Sequence, residues 1–267
     1  MITFEGLGYF GRFGNQMFQY ASGLGVAIKN NQSFGFPTQN STVVQTGVLG
    51  YDERCVLDDC FDLTCIRYDG SKDYRTGVDT SSQFNPQWFT VGADINMHGY
   101  FQDERYFKHC EDKIRNEFSF KEDIRAKANE NLKKIRSFPD EKLTSVHVRR
   151  GDYLKLSDVH PPCSLEYYKS AFDISSVLDE TKFLVFSDDI EWCKENFTGH
   201  NMTFCSVNDS YTEMCMMTLC DHHIIANSSF SWWGAWLGHN KQKTVIAPKT
   251  WFADRDTDIQ CNDWTLI

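Results

Sequence analysis

From about residue 143 onward, short runs of consecutive apolar residues alternate with helical stretches, and this alternation constrains the fold more than any other feature of the chain. Strands are expected at 144–148, 183–186, 202–207, 223–226 and 244–247, with helices near 165–174, 190–196, 211–221 and 230–237 between them. A strand that is apolar throughout is buried on both faces, which happens when helices cover a parallel sheet on each side. The expected class is therefore α/β, with a doubly wound parallel sheet in the C-terminal half. In such a sheet ligands sit outside the carboxyl ends of the strands. Three polar clusters fall there: His147-Val148-Arg149-Arg150-Gly151-Asp152, Ser187-Asp188-Asp189, and Asn227-Ser228-Ser229-Phe230-Ser231-Trp232-Trp233.

The first half is less regular. Residues 2–5 read as a strand, followed by a glycine-rich turn, a helix over 15–29 and a second strand at 33–36. Residues 39–83 carry turns, three cysteines and several aspartates, and read as irregular structure. Helical pattern returns over 105–137 and breaks at Phe138-Pro139-Asp140, which places a domain boundary near residue 140 and two domains at 1–140 and 141–267.

At 267 residues the chain is long enough to bury a core without staples. Its 27 Lys and Arg stand against 37 Asp and Glu, a formal charge of −10. An acidic body lacks the basic face that nucleic acid or anionic lipid requires. A phosphate-bearing ligand must then be held by a few local cations, which the distant acidic surface hardly opposes because the Debye length is about 8 Å at physiological salt. Residues 1–10 lack the pattern of a signal peptide, and no run approaches the ~18 apolar residues of a membrane span. A soluble, cytoplasmic protein is expected, with no transmembrane segment. On that expectation the ten cysteines are reduced, and the sequons at Asn40, Asn196, Asn201, Asn208 and Asn227 are chance matches. Cys55, Cys60 and Cys65, with four residues between neighbours, do not have zinc-knuckle spacing.

Each motif has a structural reading beside its functional one. Gly6-Leu7-Gly8-Tyr9-Phe10-Gly11 fits G-x-G-x-x-G between a strand and a helix, the context of a dinucleotide turn. The second strand ends in Pro37-Thr38-Gln39-Asn40, with no acid to take a ribose hydroxyl, so a packing turn accounts for the glycines. Arg149 and Arg150 follow a buried strand, where the planar guanidinium suits phosphate oxygens; the plain alternative is an ion pair with Asp152. His147 lies inside that strand. One of Asp188 and Asp189 is expected to cap the next helix, leaving the other for a donor-rich partner such as a guanine edge. Asn227-Ser228-Ser229 also caps a helix, and exposed N–H groups there would make an anion site. Trp232, Trp233 and Trp236 read as core, and Asp254, Asp256 and Asp258 as a solvated loop beyond the last strand. Serine-hydrolase, P-loop and zincin motifs are absent.

Taken together, residues 11–21 (GRFGNQMFQYA), 98–107 (HGYFQDERYF), His147 to Asp152 and Asn227 to Trp233 resemble, in that order, the alpha-1,2-fucosyltransferases. The H-x-R-R-x-D element is shared with alpha-1,6 and protein-O fucosyltransferases. The resemblance implies a GT-B-like fold of two Rossmann-type domains facing a cleft, with GDP-fucose bound mainly by the second domain and the acceptor by the first. It implies transfer of L-fucose from GDP-β-L-fucose to the 2-hydroxyl of a terminal galactose, with inversion, without a metal and without any other cofactor.

On this resemblance Arg149 neutralises the charge that grows on departing GDP, helped by the helix start at Asn227, Ser228, Ser229 and Phe230, with Arg150, Asp152 and Ser187 beside them. His147 and one of Asp188 or Asp189 would recognise guanine. The acceptor proton needs a base, for which Asp103 is the choice among His98, Asp103 and Glu104. Arg12, Asn15 and Gln16 begin a helix on the acceptor side. Two other readings stand beside this one: an NAD-dependent oxidoreductase using the first glycine turn, which NAD but not GDP would stabilise, and an inactive sugar-nucleotide or glycan binder, which would bind without transfer.

Overall fold

In the computed structural model, which describes residues 1–9, 11–37, 54–68, 72–178, 181–199 and 201–267, the apolar runs build two parallel sheets, each in its own compact unit. The first unit is Met1–Lys121 with Thr257–Ile259, and the second is Glu122–Asp256 with Gln260–Ile267.

The first unit contains β1 (Ile2–Thr3), α1 (Phe13–Lys29), β2 (Phe34–Pro37), α2 (Leu57–Cys60), β3 (Ile66–Tyr68), β4 (Arg75–Val78), β5 (Ile95–His98) and α3 (Glu111–Glu117). Its sheet runs β3-β2-β1-β5-β4, every pair parallel. Helix α1 is buried along most of its length, as a helix apolar on nearly all faces must be, and Tyr20 packs edge-on against Phe34 and Phe36 of β2. Of residues 39–83, the described 54–68 and 72–83 are less irregular than the sequence suggested. The described part supplies α2, β3 and β4, whose residues are mostly exposed and so carry no apolar signature. The expected helix over 105–137 is broken at 118–121, where Phe120 bridges to Phe61 and the Lys121 N–H reaches Cys60 O.

The second unit begins with α4 (Glu122–Ile135) and continues through β6 (Leu143–Val148), α5 (Leu165–Leu178), β7 (Lys182–Ser187), α6 (Ile190–Asn196), β8 (Met202–Phe204), α7 (Ser210–Thr218), β9 (His222–Ile224), α8 (Ser229–Leu237), β10 (Val245–Ala247) and β11 (Thr265–Leu266). The division between units thus falls before α4, not at the Phe138-Pro139-Asp140 break, because α4 packs on α7 through Ile124, Ala128 and Leu132. The sheet order β11-β10-β9-β6-β7-β8 is parallel throughout and reverses direction between β6 and β9. That is the doubly wound order, and the reversal marks where a ligand crevice opens. Strands β6 and β7 are buried on both faces, as their unbroken apolar runs require. Trp232, Trp233 and Trp236 are buried in the core with Trp264. The acidic run at 254–258 is followed by one more strand, β11, so it does not lie beyond the last strand; Asp258 pairs with Arg105.

Among the described residues no helix is long and apolar enough to cross a membrane. All ten cysteines carry free thiols.

Candidate active site

At the reversal point of the second sheet, two chain segments leave adjacent parallel strands at their carboxyl ends. One is Arg149 to Tyr153 after β6, and the other is Ile225 to Phe230 after β9. Tyr153 joins them: its hydroxyl donates to Asn227 O at 3.1 Å while its ring lies 5.4 Å from the Arg149 guanidinium carbon.

Arg149 is held on two sides. Its Nη2 donates to Asp152 Oδ1 at 2.6 Å and its Nη1 stands 2.8 Å from Asp188 Oδ2. Arg150 donates from Nε to Asp189 Oδ2 at 3.1 Å, and its guanidinium stacks over Trp192 at 4.0 Å. Asp189 also caps α6, accepting from the Trp192 N–H at 3.3 Å, and the Ser187 hydroxyl accepts the Asp189 N–H at 2.9 Å. The ion pair of Arg149 with Asp152 is therefore present, as the plainer reading had it. Asp189 is the capping acid. Asp188 is not left over for a ligand, because both of its oxygens face the Arg149-Arg150 turn.

His147 lies behind this cluster, 7% exposed, sharing a hydrogen bond from Nδ1 to Ser231 Oγ at 2.9 Å and lying against Phe230. Burial, with the neighbouring Arg149 charge, lowers its pKa to about 3, so the ring is neutral at physiological pH. Its Nε2 has no partner among the described residues. Asn227 is fully buried and spent on the protein: its amide nitrogen donates to Pro161 O and Trp251 O, both at 2.9 Å. It braces the loop before α8 and offers a ligand no side chain. Ser228 is the N-cap of α8 but its side chain makes no capping bond, and Ser229 and Phe230 at the first turn are partly exposed. The α8 start keeps the N–H groups and partial positive charge of a helix N-terminus.

The sequence-predicted residues of the first unit do a different job. Gln102 Nε2 donates to Asn15 Oδ1 at 2.8 Å and Ser22 Oγ donates to Phe101 O at 2.9 Å, with Phe18 against Phe107, so the blocks at 11–21 and 98–107 are two halves of one packed substructure. Gln16 is buried and pins the segment at 54–56, donating to Arg54 O and accepting from the Val56 N–H. Arg12 is exposed at the N-cap of α1, and His98 is exposed at the end of β5. Glu104 pairs with Lys108 at 3.2 Å. Asp103 is buried and committed: Arg105 grips both its oxygens through Nε and Nη2, and the Arg105 N–H donates to it as the cap of a short 3-10 turn. The glycine turn is filled by its own chain. A Cβ on Gly8, whose φ is +96°, would stand 2.5 Å from Cys55 N, so this glycine is required by packing and not by a pyrophosphate.

Sequence reasoning missed Tyr153 and Trp192, which support the two arginines from below, and Glu5. Glu5 follows β1 at the point where the first sheet reverses direction. Its Oε2 accepts from Asn96 Nδ2 at 3.1 Å and its other oxygen has no partner among the described residues. Burial, then the charge of Asp73, raises its pKa. Its position directly after the first strand was the available signal.

Residues 7–267 match the family described as glycosyl transferase family 11. The chain belongs to that family. As a family 11 chain it is a glycosyltransferase, and the resemblance to the alpha-1,2-fucosyltransferases is upheld. It is 32% identical over 266 residues to an alpha-1,2-colitosyltransferase of Escherichia coli, covering 91% of this chain and 90% of that protein. It is 26% identical over 242 residues to galactoside alpha-(1,2)-fucosyltransferase 1 of Leontocebus fuscicollis, covering 85% of this chain but only 63% of the primate protein. The fold is also that of solved fucosyltransferases. NodZ, an alpha-1,6-fucosyltransferase soaked with GDP-fucose, matches with a TM-score of 0.56 at 12% identity, covering 88% of this chain and 91% of NodZ. POFUT1 in complex with GDP-fucose matches with 0.53 at 13% identity, covering 91% of this chain and 96% of POFUT1. The GT-B-like architecture expected from the sequence, with a Rossmann-type parallel sheet in each unit, is thereby upheld. A family 11 glycosyltransferase replaces the oxidoreductase alternative, whose glycine turn is packed by residues 54–55.

Proposed function

We propose that the chain is a galactoside alpha-1,2-fucosyltransferase that moves L-fucose from GDP-β-L-fucose to the 2-hydroxyl of a terminal galactose with inversion and without a metal ion. The observation that carries this reading is the meeting of Arg149 and the α8 start at the carboxyl ends of the adjacent strands β6 and β9, in a family 11 chain. The relatives' names supply the linkage and the galactoside, and the structural neighbours' titles supply GDP-fucose.

As the fucosyl bond breaks, negative charge accumulates on the diphosphate. Arg149 meets it with a guanidinium already oriented by Asp152 and Asp188, and the first-turn N–H groups of α8 add a second set of donors. His147, neutral and fixed through Nδ1 by Ser231, offers its remaining nitrogen to the guanine base. The first unit takes the acceptor. The acceptor's proton goes to Glu5, one of whose oxygens has no partner among the described residues, since both oxygens of Asp103 are held by Arg105.

Incubation of the protein with GDP-fucose and β-galactosides, in chelator, followed by mass measurement and linkage analysis, tests the reading. The expected product is an α-1,2-linked fucoside. Binding of GDP-fucose with no transfer to any galactoside would leave an inactive binder, and turnover only with a colitosyl donor would move the reading to the activity for which the Escherichia coli relative is named.

A further inference from the structure

We propose that Asp188 is a positioning residue that aims Arg149 at the diphosphate, in place of the guanine contact that the sequence suggested for it. This rests on the reading of the site as a GDP-sugar site. Both Asp188 oxygens are directed at the Arg149-Arg150 turn: Oδ1 accepts the Arg150 backbone N–H at 2.9 Å, and Oδ2 stands 2.8 Å from the Arg149 side-chain Nη1. Gly151 makes the room, because a Cβ there would lie 2.6 Å from Oδ2. Asp152 holds Nη2 from the other side and the Tyr153 ring closes one face, which leaves the Nε–H edge of Arg149 without a partner among the described residues.

Charge balance shows why aim matters here. Arg149 and Arg150 face Asp152, Asp188 and Asp189, two positive charges against three negative, a formal −1. Such a cluster has no surplus positive charge to attract an anion, so its grip on a diphosphate depends on where the guanidinium N–H groups point and on the α8 start. An arginine side chain has many rotamers, and one fixed in the productive orientation before the ligand arrives avoids ordering it on binding. Asp188 does this from the position directly after β7, the strand beside β6, so the aim of Arg149 is set by the sheet itself.

The test compares wild type with Asp188→Asn and Gly151→Ala by calorimetric titration with GDP, guanosine and ADP. An amide at 188 sets an NH2 against one of the two N–H donors, and a methyl at 151 pushes the native carboxylate away; the second variant leaves Asp188 itself intact. Losing the aim of one charge-assisted contact predicts a fall in GDP affinity of about 10- to 100-fold in both variants. Guanosine affinity stays within about twofold, and the preference for GDP over ADP is unchanged. A parallel fall for guanosine with loss of the GDP-over-ADP preference would show a base contact and overturn the assignment, as would unchanged GDP affinity in the two variants. Wild type that binds no GDP at all would overturn the functional reading itself, a result distinct from either.

Discussion

Acid should destabilise this protein well above the range in which carboxylates titrate, because two imidazoles are buried in the second unit. His147 and His223 both have pKa values lowered to about 3, mainly by burial. The sign follows from linkage: below pH ~6.5 the unfolded chain takes up protons on these rings and the folded chain does not, so stability is present above ~6.5 and is lost as pH falls toward 3. Each ring then costs roughly 1.4 kcal/mol per pH unit, about 2 kcal/mol at pH ~5, and about 4 kcal/mol for the pair. That is a large share of the ~5–15 kcal/mol by which a domain is stable. Glu5, Asp103 and Glu213, whose pKa values are raised mainly by burial, act in the opposite direction and reduce the net loss. His223→Gln isolates the effect. His223 Nδ1 is bonded to Ser145 Oγ, Nε2 is buried without a partner among the described residues, and the ring is remote in sequence from the arginine turn. Urea unfolding at pH ~7 and pH ~5 should show the variant losing about 2 kcal/mol less than wild type over that interval. An equal loss in the two proteins, or a wild type as stable at pH ~5 as at ~7, would refute the reasoning.

Arg149→Lys keeps the charge but loses the fork, so kcat should fall by roughly 10²- to 10³-fold in a fucosyl-transfer assay while the melting temperature stays close to wild type. Asp103→Asn breaks the buried pair with Arg105 and should cost about 1–3 kcal/mol of stability, read as a lower Tm, with transfer retained; abolished transfer at unchanged Tm would return the role of base to Asp103. Glu5→Gln should lower kcat by about 10²-fold or more with the donor KM unchanged, and turnover at the wild-type level would remove Glu5 as the base.

The reach of the sequence is clearest at β6 and β7. Residues buried on both faces of a parallel sheet must be apolar without alternation, so those strands, the helices between them and the polar clusters at their ends were legible from one chain. The same logic failed at β3 and β4, whose residues are largely exposed, and at α4, whose apolar face gave its existence but not which sheet it covers.

The roles within the clusters were not legible. Spacing alone brought Asp188 and Asp189 to the edge of the sheet, but whether an acid caps a helix, meets a ligand or braces an arginine depends on which neighbouring strand it faces. Asp103 illustrates the same limit, since the guanidinium that claims it is two residues away and becomes a clamp only when the backbone turns. By itself, then, the sequence determined the fold class and the edge where chemistry gathers, because burial and periodicity are properties of local runs of residues, while its four motif blocks carried the resemblance to the family. Tertiary structure decided the partners, because hydrogen bonds between carboxylates and arginines of different strands are fixed only by the register and order in which the strands pair.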